Sequence, residues 1–201
     1  MRDLRAILAT LTLVSVGASA CSSSVTIATE PVTKRAFGPD PRVISARLGA
    51  LSGRACLRDE LIRYLSMPGG IQLARPHEGA DLTIEGSVSR IEVHSNRGDK
   101  EAAIAYFTAF VITAPIAAAM YGLKDWRADA AADGALSARN PAGEVIWTKR
   151  LTVSIAETQR TLPTRDALNA AMEAAVCQKL AISLVDALTD AIAASPGMVG
   201  R

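Results

Sequence analysis

Hydrophobic and polar positions change period several times along this chain, and each change predicts an element. Val43 to Arg47 reads as a first short strand. Ser52 is a candidate N-cap. Beyond it Leu57, Leu61, Ile62 and Leu65 recur at helical spacing, with Arg58, Asp59 and Arg63 on the other face. Pro68-Gly69-Gly70 stops that helix, Ile71 to Leu73 suits an edge strand, and Pro76 to Gly79 turns the chain. Leu82, Ile84, Gly86 and Val88 then alternate with Thr83, Glu85, Ser87 and Ser89. The phase slips at Arg90-Ile91, which predicts a bulge, and Val93 continues the run.

Ala128 to Arg139 and Glu144 to Ala156 flank Asn140-Pro141-Ala142-Gly143, the pattern of a β-hairpin. Leu136 and Ala138 precede the turn; Val145, Trp147, Leu151, Val153 and Ile155 follow it. Thr164 is a second N-cap candidate, with Asp166 in the first turn. From there to about Ala194, Leu168, Met172, Val176, Leu180, Leu184, Leu188 and Ile192 make one apolar stripe, ended by Ser195-Pro196-Gly197. The order predicts an α+β fold: a two-layer sandwich of a mainly antiparallel sheet with two helices on one face. It would be a single domain over 42–195, with a disordered tail at 196–201.

The N-terminus follows a different logic. Arg2 and Arg5 precede an uncharged apolar run from Ala6 to Val16, too short to span a bilayer. Gly17-Ala18-Ser19-Ala20 then brings small residues up to Cys21, followed by Ser22-Ser23-Ser24. That order is a secretory signal, and Ala18-Ser19-Ala20-Cys21 resembles the lipobox of bacterial lipoproteins. The resemblance implies cleavage after residue 20 and a lipid (palmitate-type) acyl anchor on Cys21. The Ser-, Thr- and Pro-rich stretch 21–41 reads as a flexible tether.

Composition narrows the possibilities. Removing the first 20 of 201 residues leaves 181, enough for one domain with a core. The formal charge of +2 falls to +1 without Arg2, Asp3 and Arg5, which gives no electrostatic case for nucleic acid. With Cys21 used for lipid, Cys56 and Cys177 remain. In an oxidising compartment they predict a Cys56–Cys177 disulfide; two buried free thiols are the alternative.

Catalytic motifs are missing from the pattern. His77 and His94 have no Cys, Asp or Glu at metal-ligand spacing, and no phosphate-binding glycine loop or nucleophile motif occurs. Glu85, Glu92, Asp99 and Glu101 are spaced like the solvated side of a strand and its loop. The expectation is a protein without catalytic residues, metal or cofactor.

The strongest anomaly is Ala102 to Leu123, twenty-two residues without a charge, inside an insertion at about 98–127. As a helix it would extend about 33 Å, close to the hydrocarbon thickness of a bilayer. Tyr106, Tyr121 and Trp126 lie where interfacial aromatics would. The flanking strands read as neighbours in one sheet, so a single crossing would put them on opposite sides. Three readings stay open: a re-entrant hairpin turning near Pro115, an arm packed on another protein, or an apolar helix on the domain's own sheet. The candidate contact residues are Ile104, Tyr106, Phe107, Phe110, Val111, Ile112, Ile116, Met120, Tyr121 and Trp126.

Ala80-Asp81-Leu82-Thr83-Ile84-Glu85-Gly86-Ser87-Val88 resembles a strand of small bacterial envelope lipoproteins, and Asn140 to Trp147 resembles their hairpin. Nearest in pattern are the lipopolysaccharide-assembly lipoprotein, the auxiliary lipoproteins of ABC-type lipid transporters and the lipoprotein activators of penicillin-binding proteins. The resemblance implies a non-catalytic accessory or assembly subunit of an envelope complex, with the membrane and an envelope protein as partners. Ser22 after Cys21 resembles the pattern of lipoproteins released to the outer membrane, with the domain facing the periplasm. The alternative is a carrier or chaperone for a lipid or other apolar ligand, with Ile104, Phe107, Phe110 and Ile116 lining a groove.

Overall fold

The computed structural model describes residues 43–75, 77–96, 126–159 and 165–199, together with Val25, Ile27, Val32, Lys34 and Phe37. Its elements are β1 (Ile44–Ser52), α1 (Ala55–Leu65), β2 (Ile71–Leu73), β3 (Leu82–Ser95), β4 (Trp126–Arg139), β5 (Val145–Gln159) and α2 (Arg165–Ala194). One 3-10 turn, Pro196–Met198, follows where a disordered tail is expected.

The predicted hairpin is the backbone of the fold. Gly143 takes φ +85°, a region open to glycine, and its N–H donates to Asn140 O at 2.9 Å. Asn140 Oδ1 accepts from Glu144 N–H at 2.9 Å, so the turn satisfies its own polar groups. From it β4 and β5 pair antiparallel back to Trp126 and Gln159, and β3 pairs antiparallel with β4 on the other side. The bulge falls between Val88 and Arg90, one residue before the predicted slip. Past it, Ile91 and Val93 face the same side as Leu82 and Ile84.

The sheet order is β2-β1-β3-β4-β5. It is mixed, and this corrects the mainly antiparallel expectation: β1 runs parallel to both of its neighbours. The helix between β1 and β2 returns the chain to the starting end of β1, which makes the next strand parallel. The sheet curls into a half-barrel around the two helices rather than lying flat as a plain sandwich layer.

β1 extends five residues beyond the predicted Arg47, to Ser52. Its alternation is broken by a register shift between Leu48 and Leu51, which hid the strand from a period-two reading. Ser52 is therefore a strand residue and not a helix cap. Gly53 turns the chain at φ +91°, and Arg54 occupies the N-cap without a side-chain bond.

All seven predicted stripe residues of α2, from Leu168 to Ile192, are buried. A 30-residue helix is about 45 Å long and a 14-residue strand about 46 Å, so α2 matches β4 in length, and it packs on both β4 and β5. The inner face of β4 is small: Ala128, Ala130, Ala132, Gly134 and Ala138, with Leu136 the exception. At Gly134 a Cβ would stand 2.7 Å from Leu180 Cδ2, so the missing side chain sets how close the helix lies. In α1, Leu57, Leu61, Tyr64 and Leu65 form the buried face. Ile62 lies one residue, or about 100°, around from Leu61 and is 37% exposed.

Candidate functional site

Three places could carry function: the root of the apolar insertion, the seam between the helices, and the open face of the sheet. At the root, Ser95 pairs with Ala128 across the β3/β4 ladder. Asn96 N–H donates to Arg127 O at 3.1 Å, and Asn96 Oδ1 accepts from Arg127 N–H at 3.1 Å. The chain thus leaves the sheet and re-enters it at adjacent, hydrogen-bonded positions. A bilayer crossing that separated the two strands is incompatible with this ladder.

Cys21, the signal segment, Thr164 and the candidate contacts Ile104 to Tyr121 lie outside the described residues. Trp126 begins β4 opposite Gln159. Among the described residues no helix is long and apolar enough to cross a membrane.

The seam joins α1 to α2 by chemistry of several kinds. Cys56 and Cys177 form a disulfide across it, with Cα atoms 6.1 Å apart. Cys177 is fully buried. Further along, Tyr64 Oη donates to Asp186 Oδ1 at 2.8 Å. Arg54 and Glu173 pair at 3.5 Å, but both side chains are well exposed, so this pair adds little. A groove of about 230 Å³ opens here between Glu60, Arg63 and Tyr64 of α1 and Gln178 and Ile182 of α2, with Val32 as one wall.

Val32 brings in the stretch expected to be a tether. Its described apolar residues, Val25, Ile27, Val32 and Phe37, are half-buried against the core. Lys34 Nζ donates to Leu65 O at 3.2 Å and Met67 O at 2.7 Å, satisfying carbonyls left open at the end of α1. The same nitrogen lies 5.6 Å from the centre of the Tyr64 ring. Burial lowers the Lys34 amine from its usual 10.5 to about 8.

Opposite the helices, the outer face of the sheet is polar. Arg139 Nε donates to Glu85 Oε2 at 2.8 Å, and Arg90 bonds Glu92. Thr152 Oγ1 donates to Asp133 Oδ1 at 2.6 Å. The two candidate carboxylates on β3 are thus both held by arginines of this face. His94 is exposed, with Nε2 4.0 Å from Glu92.

Sequence reasoning missed Lys34, Tyr64 and Asp186, whose partners are remote along the chain. It also missed the work of Asp81. That carboxylate accepts from Ser45 N–H at 2.8 Å and Ser45 Oγ at 2.7 Å, pinning the start of β3 to β1. The signal for it was present in the Ala80-Asp81-Leu82 motif, without its partner.

No protein-family model matches this chain, and no curated protein matches it. Among solved structures it is similar to a minor lipoprotein from Acinetobacter baumannii, with TM-score 0.42 and 15% identity over 78% of this chain and 96% of that one. A Xanthomonas campestris protein gives TM-score 0.40 and 16% identity over 79% and 95%. Lipoprotein B from Nitrosomonas europaea gives 0.38 and 10% over 85% and 94%. Resemblance at this level is too loose to transfer a function or a partner.

Proposed function

We propose that this chain is a non-catalytic lipoprotein of the bacterial envelope, anchored through Cys21 in the outer membrane, with its domain facing the periplasm. It acts as an accessory or assembly subunit of an envelope complex. The 102–123 segment makes the contact with membrane or partner. The observation that carries this reading is the root of the insertion: β3 and β4 are hydrogen-bonded up to Ser95 and Ala128, so the chain that includes the apolar stretch leaves and re-enters the domain at adjacent residues. The lipid already attaches the chain, which leaves the apolar segment for recognition. The Cys56–Cys177 bond fits an exported protein, because disulfides persist in oxidising compartments.

The test uses membrane fractionation of two variants. Cys21→Ser is expected to move the protein to the soluble fraction. Deletion of 102–123 is expected to leave it membrane-bound and to abolish crosslinking to its envelope partner. Unchanged fractionation of Cys21→Ser refutes the anchor, and unchanged crosslinking of the deletion refutes the contact role. Copurification of a stoichiometric lipid that the deletion removes would instead support a carrier of apolar ligands.

A further inference from the structure

The segment between Cys21 and the domain has a built seat. Lys34 is held at the C-terminal end of α1 by Leu65 O and Met67 O, with its ammonium over the Tyr64 ring. Its aliphatic stem lies where a Cβ on Gly69 would be, and the Phe37 ring lies where a Cβ on Gly70 would be, 2.6 Å from Cδ2. The two glycines that stop α1 thus also form the floor on which the segment rests. Upstream, Val32 forms one wall of the inter-helix groove, and Val25 and Ile27 reach the core. Isolated contacts of a loose spacer would not coincide with a paired absence of side chains on the opposing surface.

We infer that Val25, Ile27, Val32, Lys34 and Phe37 are the docking points of a strap that holds the domain close to the membrane surface, an inference that rests on the anchor reading of Cys21. Only three residues lie between Cys21 and Val25, and the four steps have an extended reach of about 14 Å. A free segment from Cys21 to Val43 would reach about 75 Å. The strap therefore decides whether the surface around the α1–α2 seam works beside the lipid headgroups or far from them. Because the seat is glycine, a side chain there pushes out the strap before it disturbs the sheet.

Trypsin reads the docking directly, since Lys34 and Arg35 are its sites. In the full-length, membrane-bound protein, cleavage at Arg35 is expected to be slow. It should speed up about tenfold or more in Lys34→Ala/Phe37→Ala and in Gly69→Ala, because cleavage follows the open population. The double variant leaves Gly69 and Gly70 in place, so it removes the strap's contacts without putting a side chain into the seat, and retained exchange protection of α2 and the hairpin checks that the domain stays folded. Equal rates in wild type and double variant would overturn the inference. Energy transfer from the tryptophans to labelled headgroups in vesicles of phosphatidylethanolamine and phosphatidylglycerol is expected to fall in the double variant. Unchanged transfer would overturn the placement at the surface. In Cys21→Ser, released from the membrane, protection of Arg35 is expected to persist. Its loss there would show that membrane, not seat, shields the strap, whereas failure of the anchor itself appears only in the fractionation.

Discussion

Two halves of the sheet are joined at β1 and β3, and they are stabilised in different ways. In the β3-β4-β5 half, long antiparallel strands pair along most of their length, and α2 packs on them with an unbroken stripe of buried leucine, valine, methionine and isoleucine. Burial of that kind is worth about 1.5–3 kcal/mol per large side chain. In the β1-α1-β2 half the helix has 11 residues and β2 only three. Discrete links make up for the smaller contact: the Cys56–Cys177 bond, Tyr64 to Asp186, Asp81 to Ser45, and Lys34 at the end of α1. Continuous burial tolerates the loss of any one bond. A set of point attachments does not.

The largest test of this contrast is removal of the disulfide. Its partners are 121 residues apart, and closing a loop of that size is worth about 5 kcal/mol on the chain-entropy account. Cys56→Ala/Cys177→Ala should lose about that much in urea unfolding. Amide exchange should rise first in α1 and β2 while α2, β4 and β5 stay protected. Uniform loss across both halves would break the comparison.

A cavity in the other half should behave differently. Leu184 is fully buried on α2, and Leu184→Ala is expected to cost about 3 kcal/mol. Exchange protection should then fall across the whole hairpin and α2 together, because one stripe serves them all. Selective opening of α1 in that variant would contradict the division.

The smallest effect concerns pH. The Lys34 amine is lowered from 10.5 to about 8 in the folded chain, so between those values the folded state binds fewer protons than the unfolded one. Stability contributed by this site therefore rises as pH increases from about 8 to 10.5, and below pH 8 it is at its lowest. The side chain is partly solvated, which keeps the slope shallow. Lys34→Met should flatten the wild-type slope in this window and raise exchange only slightly, at the end of α1, while α2, β4 and β5 stay protected. An unchanged slope would remove Lys34 from the set of links.

Legibility followed the same division. The α2 stripe, the hairpin and its turn, and the slip near Arg90 were readable because their partners lie at fixed short spacings. The Cys56–Cys177 pairing was readable from cysteine parity. β1 was read short because its bulge breaks alternation, and Ser52 was misplaced as a cap for the same reason. Lys34, Tyr64 and Asp81 had no readable role, since each acts on a residue dozens of positions away.

The sequence alone determined the elements with regular period, the hairpin, the apolar 102–123 stretch and the motif at Cys21. Period and turn chemistry are local, so one strand of text contains both partners. Only the tertiary structure decided that β1 lies parallel between β2 and β3, that the insertion leaves and returns at one point, and that Gly69 and Gly70 receive Lys34 and Phe37. Those outcomes depend on which surfaces meet after the chain has folded back on itself, and contact between distant surfaces leaves no period in the sequence.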